Sequence, residues 1–147
     1  MTYVRPHLEF AIAAWNPQTK TEKDKLEKVQ HRATKIPYPI CKLKDKERTE
    51  KLGLQTLENR RKRGDLIQKY KIIKGIDEVN WYCNPICREP RAGRRGKYVR
   101  EFTDRCLERF NFFNNRTAKP WNDLSDSVVA APCVVTFKTR LDGTTKP

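Results

Sequence analysis

The sequence predicts a mostly α protein, a small helical bundle joined by a basic irregular linker to a smaller helical tail. Three observations predict it. Apolar residues return every three or four positions in several stretches of both halves, the spacing that gathers them on one helix face. Prolines and glycines punctuate those stretches, at Pro6, Pro17, Pro37, Gly53 and Gly75. From Ile76 to about Thr103 the periodicity is lost, and Arg88, Arg91, Arg94, Arg95, Lys97 and Arg100 gather around Pro90 and Gly93, the composition of a loop or linker. The expected division is a helical segment over residues 1–76, a basic linker over 77–103 and a distal helical tail over 104–147.

Pro6 suits a first helical turn, and Leu8, Ala11, Ile12 and Trp15 then predict a helix over 6–15 that Asn16-Pro17 stops. Thr21 through Asp24 can cap a second helix. Its apolar stripe is Leu26, Val29, Ala33 and Ile36, and Lys25, Lys28, Arg32 and Lys35 repeat the same steps one residue earlier. A basic stripe therefore runs beside the apolar one, about 100° around the helix. Pro37-Tyr38-Pro39 ends this helix, and the connector Lys42 to Lys46 leads to a short helix closed by Leu52-Gly53.

Thr56 caps the longest periodic segment, whose apolar face is Leu66, Ile67, Tyr70 and Ile73, up to Gly75. Projected backwards at 3.6 residues per turn, that face also receives Arg60 and Arg63. A cation on an apolar face needs an anion, and two remain open: a nucleic-acid phosphate, or an acid of the same chain such as Asp65. After the linker come Phe102, Leu107, Phe110, Phe112 and Phe113, then Arg116, Trp121-Asn122 and Leu124. A last helix is expected from Pro132, with Val134, Phe137, Lys138 and Leu141 at helical spacing until Gly143.

Charge points to the class of partner. The chain carries 32 Lys and Arg against 18 Asp and Glu, a formal +14 with pI near 9.8, so a polyanion is the partner electrostatics favours. Hydrophobic residues are only 37% of the total, which bounds the core to a small one. Residues 1–75 hold 19 basic and 9 acidic residues, and 76–147 hold 13 and 9, so most of the excess lies in the first half. Lys25, Lys28, Arg32, Lys35, Arg60, Arg61 and Arg63, with Arg94 and Arg95 from the linker, are the candidate phosphate contacts. Against this, the second-helix stripe could equally be a solvated face interleaved with Glu22 and Glu27.

No reaction is legible in the residues. Two-metal phosphoryl chemistry needs clustered carboxylates, yet there is no adjacent Asp pair, and Asp123 and Asp126 fit better as capping and dipole partners beside a helix start. No acid is followed two positions later by Lys, and no phosphate-cradling glycine loop is present. Cys83 and Cys87 are separated by three intervening residues rather than the two that zinc knuckles favour, a poor spacing even with Cys106 added, so the five cysteines read as free thiols of a reducing compartment. No apolar run approaches the ~20 residues that span a bilayer, and nothing resembles a secretory leader. The expectation is an intracellular chain of nucleus or cytoplasm, not an enzyme by itself, with no cofactor, metal, membrane partner or small-molecule substrate.

The order of short motifs carries a resemblance. Tyr3-Val4-Arg5-Pro6-His7-Leu8-Glu9-Phe10, Trp15-Asn16-Pro17, the run from Leu26 to Lys35, Leu52-Gly53-Leu54, Leu57-Glu58, Arg60-Arg61 and Arg63-Gly64-Asp65-Leu66-Ile67 occur in succession. Phe112-Phe113, Arg116, Trp121-Asn122-Asp123-Leu124, Ala131-Pro132 and Phe137 to Asp142 follow. In this order they resemble the C-terminal region of reverse transcriptases of non-LTR retrotransposons, of the jockey and chicken-repeat type, over nearly the whole chain. The resemblance implies a thumb-like helical region and a distal tail, downstream of a polymerase palm that holds the family's catalytic carboxylates. It implies RNA or RNA·DNA hybrid as a partner held through phosphates, and the upstream palm domain of a parent polymerase as an intrachain partner. The alternatives are a structural or interaction element with no affinity of its own, or a nonfunctional relic. Three departures from the family pattern, Thr117-Ala118, Pro120 and Ser125, are expected to weaken the distal helix.

Overall fold

The computed structural model describes residues 4–37, 40–82, 84–89 and 95–144 and places most of them in helices. These are α1 (Val4–Leu8), α2 (Lys20–Thr34), α3 (Asp45–Lys51), α4 (Leu57–Ile73), α5 (Leu107–Phe110), α6 (Phe113–Asn122), α7 (Asp126–Val129) and α8 (Val134–Thr144), with a 3₁₀ turn over Ile40–Lys42. Two short strands, β1 (Cys87–Arg88) and β2 (Lys97–Tyr98), pair antiparallel with Cys87 opposite Tyr98. The mostly α architecture is the one the sequence predicts. The chain forms two compact units that divide between Lys62 and Arg63, inside α4. The sequence places its division after residue 76 because periodicity stops there, whereas the units follow contacts that α4 makes with residues far along the chain.

Helix ends follow local chemistry closely. In α3 the N–H of Gly53 donates to Glu50 O at 3.0 Å and that of Leu54 to Thr49 O at 2.8 Å, with Gly53 at φ 58°. In α4 the N–H of Gly75 donates to Ile72 O at 3.1 Å and that of Ile76 to Lys71 O at 2.9 Å, with Gly75 at φ 67°. Both are Schellman closures, which demand a left-handed residue that glycine supplies without strain. Thr56 caps α4 as expected, its hydroxyl accepting from the N–H of Asn59 at 3.3 Å.

Three expectations are corrected here. The first helix stops at Leu8 rather than Trp15, and Ala11 adopts φ 50°, a left-handed turn that no helix can pass through. The capping box of α2 begins two residues earlier than expected. Thr19 accepts from the N–H of Glu22 at 3.2 Å, and the Glu22 carboxylate accepts from those of Thr19 at 3.2 Å and Gln18 at 3.0 Å. These backbone donors hold the Glu22 carboxyl below its ordinary range. The buried side of α2 is also not the apolar stripe: Gln30 and Thr34 are buried, while Val29 is 47% and Ile36 79% exposed.

Polar packing explains that reversal. Around α2 the first unit offers hydrogen-bonding groups rather than an apolar surface. Gln30 donates to Gln55 O at 3.4 Å and accepts from Arg5, and Thr34 accepts from the Nε of the buried Arg48 at 3.2 Å. Glu27 accepts from the Leu57 N–H at 3.1 Å, satisfying one of the orphan donors at the start of α4. Leu8 and Leu57 are the buried hydrophobic side chains of this unit among the described residues.

The second unit has a conventional core. Leu66 and Tyr70 of α4 pack with Trp121, Val128, Ala131, Phe137 and Leu141. Tyr70 stacks on Phe137 with ring centroids 4.3 Å apart, and its hydroxyl donates to Ala131 O at 2.7 Å. Of the departures expected to weaken the distal helix, Thr117-Ala118 and Pro120 are accommodated in α6, and Ser125 stands at the N-cap of α7. Thr117 and Ala118 are both buried, and the Thr117 hydroxyl is satisfied by donating to Phe113 O at 2.7 Å. Pro120 lies in the last turn of α6, where its missing N–H forfeits a single helical bond. The last helix begins at Val134, two residues after Pro132.

Candidate nucleic-acid interface

The capping box at Thr19 and Glu22 sets the phase of α2, and that phase turns Lys25, Lys28 and Arg32 outward together with Lys35 at the helix end. All four are exposed. Among the described residues none of the four lies within ion-pair distance of a carboxylate, in contrast to Lys23, whose ammonium is 3.5 Å from Glu58. The structure thus brings these four together as a single basic face. Val29, also exposed, sits among them.

The other candidates are engaged inside the chain. Arg60 forms a two-point pair with Glu9, its Nη2 at 2.7 Å from Oε2. Arg61 is buried: it donates to Leu8 O at 2.6 Å and Trp15 O at 3.4 Å, and its guanidinium lies 4.3 Å from the Trp15 ring centroid. Arg63 pairs with Asp142 through bonds of 2.6 and 2.9 Å. Of the two anions the sequence left open for Arg60 and Arg63, the structure supplies an acid of the same chain. Asp65 accepts two bonds of 2.9 Å from Arg116. Arg95 donates to the carbonyls of Trp121, Asn122 and Leu124 at the end of α6, where cations suit the helix dipole. Arg94 lies outside the described residues.

Reading the sequence alone misses two buried cations, Arg48 and Lys69. Lys69 is 4% exposed; its ammonium donates to Thr117 Oγ1 at 3.2 Å and sits 4.1 Å over the Tyr98 ring. Burial pulls it down to about 8. Its signal in the sequence was its spacing, three residues after Leu66, which places it on the buried side of α4.

The remaining chemistry-bearing residues stay apart. Cys41 is half-buried and Cys87, Cys106 and Cys133 are exposed, all as free thiols. Among the described residues no three His, Cys, Asp or Glu side chains converge as metal ligands. Cys83, one member of the zinc set weighed above, lies outside those residues. Asp123 ends α6 and Asp126 stands in the first turn of α7, 3.6 Å from Arg95. A cavity of about 210 Å³ beside the start of α4 is lined by Pro17, Leu26 and Leu57 together with Lys23, Glu58 and Lys62, and Glu58 pairs with both of those lysines. Among the described residues no helix is long and apolar enough to cross a membrane. No family model matches the chain, and neither a curated protein nor a solved structure is significantly similar to it.

Proposed function

We propose that this chain is a noncatalytic nucleic-acid-binding fragment, resembling the C-terminal region of a non-LTR retrotransposon reverse transcriptase, that holds RNA or RNA·DNA hybrid through phosphates. The observation that carries the reading is the exposed face of α2, where Lys25, Lys28, Arg32 and Lys35 stand together while the arginines of α4 are spent on internal partners. At 1.5 Å per residue, the four cover roughly 15 Å of helix, the axial rise of about four phosphates along one strand. Such contacts give affinity without sequence readout.

The test is titration of a labelled RNA·DNA hybrid across a salt series, with Lys25, Lys28, Arg32 and Lys35 all changed to Gln. Wild-type affinity should fall steeply with salt, and the quadruple variant should flatten the log–log slope by roughly 3 to 4. Equal affinity and equal slope for the two proteins would refute the reading. The purified chain should not extend a primer on an RNA template with any divalent metal, and extension that survives repurification would count against a noncatalytic role.

A second reading rests on Val29 and Ile36, exposed on and just beyond the same helix. In it the α2 face packs against another protein segment and has no affinity of its own for nucleic acid. Absence of hybrid binding at low salt would favour it.

A further inference from the structure

The apolar stripe of α2 has little covering it within the first unit. Leu26, Val29, Ala33 and, just past the helix end, Ile36 recur at helical spacing along one side. Val29 is 47% and Ile36 79% exposed, Leu26 and Ala33 are half-buried, and among the described residues this unit buries only Leu8 and Leu57 as hydrophobic side chains. At its N-terminal end the stripe meets the cavity of about 210 Å³ that Leu26 lines with Pro17 and Leu57. A cavity of ~150 Å³ admits a benzene ring, so this one has room for a leucine or phenylalanine side chain.

The charge beside the stripe says what covers it. Lys25, Lys28, Arg32 and Lys35 run one residue ahead of it at every step, and among the described residues none has a carboxylate within ion-pair distance. The neighbouring acids are engaged elsewhere: Glu22 in the capping box, Glu27 on the Leu57 N–H, and Glu58 on Lys23 and Lys62. That leaves the exposed Asp24 against four cations. A complementary cover is therefore apolar along one line and acidic beside it, over roughly 15 Å. A helix meets both conditions, because its side chains return to one face every three or four residues.

We propose that this face of the first unit docks an acidic amphipathic helix of a partner protein. One apolar anchor of that helix enters the cavity beside Leu26, later ones pack on Val29 and Ile36, and its Asp and Glu side chains meet the four cations. The cations are those of the nucleic-acid reading, but the inference does not depend on it: phosphates use the charges and leave the cavity and the stripe in water.

The experiment uses the full chain and a fluorescein-labelled designed peptide of about eighteen residues, with leucines three and four residues apart and glutamates flanking them, against a scrambled peptide of the same composition. The designed peptide should bind at least roughly tenfold more tightly than the scrambled one. Val29→Ser with Ile36→Ser should weaken it about 5- to 20-fold and change binding of an RNA·DNA hybrid by less than about twofold. Both side chains are exposed, so the double variant should keep the helical circular dichroism spectrum and the thermal midpoint of the wild type. In methyl NMR spectra of the wild type, the designed peptide should shift Leu26 and Leu57. No binding, equal binding of the two peptides, a double variant that binds the designed peptide as tightly as the wild type, or unmoved Leu57 methyls would overturn the proposal. Were the double variant to lose its helical spectrum, the two peptides and the Leu57 methyls of the wild type would still decide. A chain that ignores the hybrid yet binds the designed peptide would sink the nucleic-acid reading and leave this one standing. Binding to phosphatidylserine vesicles that disappears in the double variant, with the designed peptide unaffected, would assign the stripe to a membrane surface instead.

Discussion

Lys69 shows how much one residue can set against the fold that contains it. Its ammonium has a hydroxyl and an aromatic ring as partners, and burial lowers it from 10.5 to about 8. The unfolded chain therefore binds this proton more tightly than the folded one. Below pH 8 the penalty is present in full, and between about 8 and 10.5 it shrinks, so this group makes stability rise with pH across that window. Lys69→Met removes the charge and keeps most of the volume. It should raise stability at neutral pH by about 1 to 3 kcal/mol and flatten the rise between pH 8 and 9.5. Chemical denaturation of both proteins at several pH values measures this, and a variant less stable at pH 7 would contradict it.

The paired arginines of α4 belong to the same scale. Arg60→Gln with Arg63→Gln breaks two half-exposed pairs, with Glu9 and Asp142. The double variant should lose roughly 1 to 2 kcal/mol and leave the salt slope of hybrid binding as it was. A flatter slope with an unmoved midpoint would return both arginines to phosphate contact. Sequence reasoning saw that each needed an anion. It could not identify the anion, because Glu9 and Asp142 lie 51 and 79 residues away along the chain.

At the scale of elements, what was legible was what is local. Gly53, Gly75 and Thr56 mark helix ends because the constraint acts within five residues: a carbonyl that needs a donor, or an N–H that needs an acceptor. Gly75→Ala forces a side chain into the left-handed region at φ 67°, although a Cβ there would meet nothing within 4 Å. The cost is thus backbone strain alone, about 1 kcal/mol, read as a lower thermal midpoint with unchanged helix content. An unchanged midpoint would mean that α4 ends some other way. The α2 stripe was misread for the opposite reason. Helical spacing identifies which residues share a face but not which face is covered, and in the first unit the covering groups are arginines and amides.

For the whole molecule, the two units should differ in stability. The second buries Trp121, Tyr70, Phe137 and Leu141 together, whereas the first closes around Gln30, Thr34, Arg48 and Arg61. Hydrogen bonds exchange one partner for another on folding and yield little net stability, while apolar burial contributes about 25 cal/mol per Å². Native-state hydrogen exchange should therefore show the amides of α2 and α3 opening before those of α6 and α8. Equal protection, or the reverse order, would show that the polar interior is as strong as the aromatic one.

The sequence by itself determined the helical class, the helix stops at Gly53 and Gly75, and the strong positive charge, since each depends on composition or on neighbours a few residues away. Only the tertiary structure decided which cations are spent on folding and which face solvent. Arg60, Arg61, Arg63 and Arg95 find carboxylates or carbonyls brought near by the fold, and among the described residues Lys25, Lys28, Arg32 and Lys35 have no carboxylate within ion-pair distance. The physical reason is range: a guanidinium is satisfied by whichever acceptor the folded chain places within about 3 Å, and nothing in linear spacing encodes that meeting.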